Sequence, residues 1–186
     1  MLETLEHLHG RGICHRDIKL ENVMLETEPG SKAIRTKIVD FGFATNYTTD
    51  FATVKFEVGT TEYMAPETLT RGVSHDHSVD VWALGVLTYL MLAQEHPFVN
   101  KADGRVNRAM IKNRDPDYSP LLHYSAGAEN FVRAALTRDQ AKRPSAKKLL
   151  NHPWLATTSP ITGDVVGASA EQATTFYDIA AKLELA

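Results

Sequence analysis

His15-Arg16-Asp17-Ile18-Lys19, followed by Asn22 and then by Asp40-Phe41-Gly42, is the stretch on which the reading of this 186-residue chain turns. Asp17 offers a carboxylate that can orient a hydroxyl and accept its proton. Lys19 supplies a compact, mobile point charge suited to a phosphate. Asn22 and Asp40 are hard oxygen ligands of the kind Mg²⁺ accepts alongside water and phosphate oxygens. A lone loop aspartate is more often a turn former or helix cap than a base. Order and spacing change that reading: Arg-Asp-x-Lys-x-x-Asn comes first, then Asp-Phe-Gly, then Gly59-Thr60-Thr61-Glu62-Tyr63-Met64-Ala65-Pro66-Glu67.

Around this stretch, Leu2, Leu5 and Leu8 recur at helical spacing up to Gly10, which predicts a short amphipathic helix closed by a glycine. So short a helix is marginal alone and is expected to be the tail of a longer one. Val23 to Leu25 and Lys37 to Val39 flank the turn-rich Glu28-Pro29-Gly30-Ser31 and predict a hairpin with Asn22 at one end and Asp40 at the other. Thr45 to Gly59 is polar and aperiodic, a long surface loop. From Ser78 onward the chain reads as helices: a buried central one from Asp80 to Leu92, then amphipathic ones from Ala126 to Leu136 and Ala146 to Leu150. Residues 156–186 read as a tail with a short helix from Ala170 to Leu185.

Composition is that of an ordinary globular chain, 43% hydrophobic and 23% charged, with one domain expected. A formal net charge of -3 gives no reason to expect a nucleic-acid surface or a polybasic membrane patch. Cys14 is the single cysteine, so no internal disulfide forms, and a reducing intracellular setting, cytoplasmic or nuclear, is expected. Glu3, Glu6 and two histidines interrupt the leucines of the N-terminus, so no signal peptide is expected. The longest apolar run, Val81 to Ala93, holds 13 residues, fewer than the roughly 20 needed to cross a bilayer.

The ordered blocks resemble the catalytic half of a eukaryotic protein kinase. The resemblance covers Leu2 to Leu155 and implies a mainly α (α+β) fold: a kinase-like C-terminal lobe at residues 1–155 with a small β-hairpin at the catalytic cleft. It implies transfer of the γ-phosphate of ATP to a protein hydroxyl, with ATP and Mg²⁺ as cofactors. Asp17 would be the catalytic base and Lys19 the phosphate-binding cation. Asn22 and Asp40 would be the metal ligands, and Met24 the floor beneath the adenine. Lys19 and Thr60 resemble serine/threonine kinases. Glu21 sits where basophilic kinases hold a substrate arginine and, like Thr60, is expected at the substrate side, so basic protein substrates are implied. Asn151-His152-Pro153-Trp154-Leu155 resembles the calcium/calmodulin-dependent group and its calcium-dependent relatives. Asp80 resembles the aspartate that braces the catalytic loop, and Glu67 and Arg143 a buried ion pair.

In relatives the arginine matching Arg16 often binds a phosphothreonine, yet Phe56 stands at the aligned position. Glu57 as a standing negative charge, or Thr53 as an alternative phosphorylation site, is the expected substitute. His75-Asp76-His77, His7 and His9 read as solvated rather than as metal ligands. Gly10-Arg11-Gly12 follows a helix, not a strand, and is not a nucleotide loop. No lysine precedes Lys19, so the resemblance implies a C-terminal lobe with the N-terminal lobe absent, and weak ATP binding by these residues alone. The alternative from another class is a non-catalytic, kinase-derived protein-interaction module.

Overall fold

In the computed structural model, which describes residues 1–27, 34–47 and 58–156, the apolar run after His77 becomes the central helix. This α2 (Ser78–Ala93) is buried on every side from Ser78 to Leu90, as a helix apolar all round must be. The Asp76 carboxylate accepts from the Ser78 N–H at 2.8 Å at its start. Gln94 closes it in the left-handed region with φ +55°, a conformation glycine adopts more readily. No helix among the described residues is long and apolar enough to cross a membrane.

Other elements wrap α2. Helix α1 (Leu2–His9) packs on α5 (Ala146–Leu150), and α2 packs on α4 (Ala126–Ala135). Ser125 and Ser145 cap α4 and α5, each hydroxyl accepting from the N–H three residues on at 3.2 Å. Helix α4 turns Ala128, Phe131, Val132 and Ala135 inward at helical spacing. Short helices α3 (Arg108–Asn113) and α6 (Pro153–Ala156) complete the set. Among the described residues the sheets are three antiparallel pairs: β1 (Ile13–Cys14) with β4 (Thr45–Asn46), β2 (Val23–Thr27) with β3 (Ile34–Ile38), and β5 (Val99–Asn100) with β6 (Arg105–Val106).

The expected hairpin is β2–β3, in the register Val23↔Ile38 and Met24↔Lys37. Several expectations need correction. Gly10 does end α1, but with φ -62°; the left-handed residue is Gly12, at φ +75°. Thr45 and Asn46, read as the start of a loop, pair with Cys14 and Ile13. The β5–β6 pair interrupts what read as continuous helix, because two-residue strands carry no measurable periodicity. His9 and His75, read as solvated, are buried. The tail from 157, with its expected helix, lies outside the described residues.

Two contacts fix how the helices meet. A Cβ added to Gly85 would lie 2.8 Å from Ala135 Cβ and 2.9 Å from Leu136 Cδ2, so α2 and α4 touch through a missing side chain. Arg143 spends all five N–H donors: two on the Glu67 carboxylate at 2.6 and 3.1 Å, the others on the Ser78, Thr137 and Arg138 carbonyls. Its guanidinium also lies over the Trp82 ring, 5.1 Å from the centroid.

Gly85→Ala is expected to destabilise the chain, because about 1–3 kcal/mol of overpacking outweighs about 1 kcal/mol of helix propensity; urea unfolding measures the difference. Glu67→Gln strands a buried guanidinium and is expected to cost about 3–5 kcal/mol, part of it recovered by adding Arg143→Met. His96 gives a pH signature. Burial pushes its pKa down to about 4, only partly offset by its bond to the Glu62 carbonyl at 2.9 Å. An unfolded histidine titrates near 6.5, so the unfolded chain takes the proton first as pH falls. Stability is therefore whole above pH ~6.5 and declines toward pH ~4 by up to about 3 kcal/mol. The loss is expected to shrink in His96→Asn, read from urea midpoints at pH 7.5 and 4.5.

Candidate active site

The loop that carries Asp17 is fixed from below by α2. Asp80 is 1% exposed, and its carboxylate accepts from the His15 N–H at 2.9 Å and the Arg16 N–H at 2.8 Å. His9 Nε2 supplies a third contact at 2.9 Å. Burial works against ionising Asp80, but these bonds outweigh it and hold its carboxyl below the ordinary range. The two backbone bonds secure Arg16 at φ +67°, a conformation that costs a non-glycine residue about 1–3 kcal/mol. His15 is fully buried, with Nε2 at 3.1 Å from the Val39 carbonyl and Nδ1 accepting from the Asp17 N–H at 3.3 Å. Those partners assign the neutral ring its proton at Nε2.

Asp17 then stands in a closed set of donors. Its Oδ1 accepts from Thr60 N at 2.9 Å and Thr60 Oγ1 at 3.0 Å. Its Oδ2 faces Lys19 Nζ at 3.1 Å and Asn22 Nδ2 at 3.1 Å. Lys19 Nζ also donates to Thr60 Oγ1 at 2.9 Å, and Asn22 Nδ2 to the Asp17 carbonyl at 2.8 Å. Four donors match the lone pairs of a carboxylate. Thr60 arrives there because Gly59 adopts φ +98° and crosses so close to the loop that a Cβ would lie 2.4 Å from the Arg16 carbonyl oxygen. Only glycine fits.

Asp40 is placed differently. Val39 N–H donates to the Asn22 carbonyl at 2.9 Å, so the β2–β3 ladder delivers Asn22 and Asp40 to the same end of the hairpin. Asp40 is exposed, with φ +61°, and its Oδ1 accepts from the Gly42 N–H at 3.0 Å, a local turn that lets aspartate hold the left-handed region. The described bonds join Asp17, Lys19, Asn22 and Thr60 directly, but not the Asp40 side chain. Phe41 lies edge-on to His15 at 4.8 Å. Met24 on β2 and Phe41 and Phe43 after β3 are exposed apolar side chains.

The donor chemistry fits a magnesium ion. Asn22 turns its nitrogen to Asp17, leaving its amide oxygen as the atom a cation would take, and Asp40 keeps Oδ2 beyond its turn bond. Among the described residues, no group of three or more His, Cys, Asp and Glu side chains could hold a metal. Mg²⁺ needs none, since it takes one or two carboxylates together with water and substrate phosphates.

Glu21 is exposed in the 3₁₀ turn Leu20–Asn22, ahead of β2. Arg16 Nε donates to the Phe43 carbonyl at 2.6 Å, which ties the loop to the residues after Asp-Phe-Gly. Thr53 and Glu57 lie outside the described residues. Three contributors escaped the sequence reading: Gly59, His9 and the backbone of Val39. Gly59 was quotable only as part of a block, and His9 was read as solvated although the structure buries it.

A family model described as "Protein kinase domain" matches residues 1–155. The chain is 34% identical over 160 residues to serine/threonine-protein kinase PAK 4 of Homo sapiens, covering 86% of this chain and 26% of that protein. It is 34% identical over 161 residues to serine/threonine-protein kinase ste20 of Aspergillus fumigatus, covering 87% and 19%. It is 35% identical over 161 residues to serine/threonine-protein kinase PAK 1 of Mus musculus, covering 87% and 28%. The chain thus spans between 19% and 28% of the length of these relatives. With the loop geometry and the match to the family model in agreement, the chain belongs to the protein kinase domain family, and its relatives are serine/threonine kinases.

Proposed function

We propose that this chain carries the substrate-side machinery of a serine/threonine protein kinase, moving the γ-phosphate of ATP onto a serine or threonine hydroxyl. The observation that carries the reading is the Asp17–Lys19–Asn22–Thr60 cluster, a buried carboxylate with a cation and two hydrogen-bonding side chains on it. Phosphoryl transfer asks mainly for alignment and charge neutralisation. Asp17 orients the incoming hydroxyl and takes its proton as the new O–P bond forms and the bond from the γ-phosphorus to the bridging oxygen of ADP breaks. Thr60 holds the carboxylate's second oxygen through that step. Lys19, 22% exposed at its side chain, swings from Asp17 toward the γ-phosphate as negative charge accumulates there. Asn22 and Asp40 would hold Mg²⁺, which would neutralise phosphate oxygens when bound.

Glu21 supports basic substrates, because an exposed carboxylate beside the catalytic loop pairs with an arginine of the peptide. Placement near the calcium/calmodulin-dependent group rests on residues 151–155 alone. There Trp154 packs on Phe131 at 5.1 Å and His152 Nε2 meets Asn130 Oδ1 at 2.9 Å, contacts that serve packing of α6 on α4. Met24, 48% exposed, gives an adenine one apolar face. The 186 residues alone are therefore expected to bind ATP weakly and turn over slowly.

The test uses γ-labelled ATP, Mg²⁺ and a serine peptide flanked by arginines. Asp17→Asn is expected to lower the transfer rate about 10²–10⁴-fold with its circular dichroism intact, and Asp40→Ala to remove Mg²⁺-dependent ATP binding by calorimetry. Equal transfer by wild type and Asp17→Asn, or Mg²⁺–ATP binding that ignores Asp40→Ala, overturns the assignment.

A further inference from the structure

Around His9, which contacts Asp80, three aromatic rings pack in sequence. His9 lies edge-on to His77 with centroids 4.7 Å apart, and His77 stacks on Tyr47 at 4.7 Å with planes 25° apart. Tyr47 Oη donates to the His9 carbonyl at 2.7 Å, closing the group into a ring of contacts. His9 Nδ1 and His77 Nδ1 are both buried without a hydrogen-bond partner among the described residues. Such atoms are uncommon in folded chains and ask for an explanation. Glu6, His9, His77, Ser145 and Lys147 line a recess of about 280 Å³ that gives water and protons a route to the pair.

What the stack holds is informative. His9 points Nε2 at Asp80, whose carboxylate carries the His15 and Arg16 amides. Tyr47 ends the β1–β4 pairing, with its N–H on the Gly12 carbonyl at 2.9 Å, immediately before the segment that runs to Gly59. One imidazole, His77, therefore sits between the root of that segment and the aspartate bracing the catalytic loop.

We propose that His77 is a positioning residue: as a neutral ring it locks His9 onto Asp80 and Tyr47 onto α1, and on protonation it releases both, loosening the catalytic loop in acid. The charged and titratable groups around it are His9 and Glu6 from α1, Asp76 and Asp80 from its own stretch and α2, Tyr47 from beyond β4, and Lys147 from α5. Burial, and then the neighbouring His9, lower the pKa of His77, while Asp76 and Asp80 oppose them. The neutral ring is thus the form that packs, and a charged one gains by moving to water. Acid acts below the ordinary histidine range, never above it. The catalytic meaning of this inference rests on the proposed phosphoryl transfer, but its readouts do not use turnover.

The experiment follows amide hydrogen exchange at His15 and Arg16 in the full chain between pH 8 and 4.5, corrected for intrinsic exchange, beside NMR titration of the His9 and His77 rings. In the wild type, protection of both amides is expected to fall at least tenfold as His77 takes its proton, with the His9 ring signal moving in the same step. His77→Phe keeps the stack without the charge and is expected to hold protection constant across the range. His77→Gln serves if that variant fails to fold, with protection low at every pH because the ring is gone. The proposal is overturned if wild-type protection ignores the His77 titration, if His77→Phe shows the same acid loss, or if a folded His77→Gln is protected like the wild type at pH 8. The kinase assay above fails or succeeds independently of all three results.

Discussion

The carboxylate of Asp80 is the constraint on which the site depends. It is a buried charge on the central helix, and its hydrogen bonds from two consecutive backbone amides and from His9 offset the cost of taking it out of water. Those amides belong to His15 and Arg16, so the residue that follows them, Asp17, inherits its position from α2. The left-handed backbone at Arg16 persists only because both bonds over-determine it. Any change that moves α2 moves the catalytic loop with it. The fully satisfied Arg143, which joins Glu67, Ser78 and the 137–138 turn, keeps that from happening.

From this fixed base the site becomes less constrained toward the hairpin end. Asp17 is closed in by four donors and Gly59 is pressed against the Arg16 carbonyl. Asp40, by contrast, is exposed and held by its own turn, with Met24, Phe41 and Phe43 exposed nearby. In the proposed reaction the buried part would align a hydroxyl with a base, which demands rigidity. The exposed part is where a metal–nucleotide would make its contacts, and those contacts come with the ligand.

The blocks at 15–22, 40–42 and 59–67 were legible because each needs particular side-chain chemistry at fixed spacing. The apolar run of α2 and the amphipathic face of α4 were legible because burial writes itself as periodicity. His9 and His75 were misread, since an imidazole is polar by composition and buried only when a specific acceptor or packed wall exists, which chain order does not reveal. The β1–β4 and β5–β6 pairs escaped for a related reason: at two residues each, they are made by partners from elsewhere and not by their own propensity.

By itself the sequence determined the residue types the chemistry needs, their order, and which helix would be central, because these follow from local spacing and from the hydrophobic content of single segments. Only the tertiary structure decided that Asp17 is shared among Lys19, Asn22 and Thr60 while the Asp40 side chain stands apart from them, and that His9 packs on His77 and contacts Asp80. The Asp17–Thr60 and His9–Asp80 bonds cross 43 and 71 positions of chain, and distances of that kind are set by how helices and turns pack around a common core.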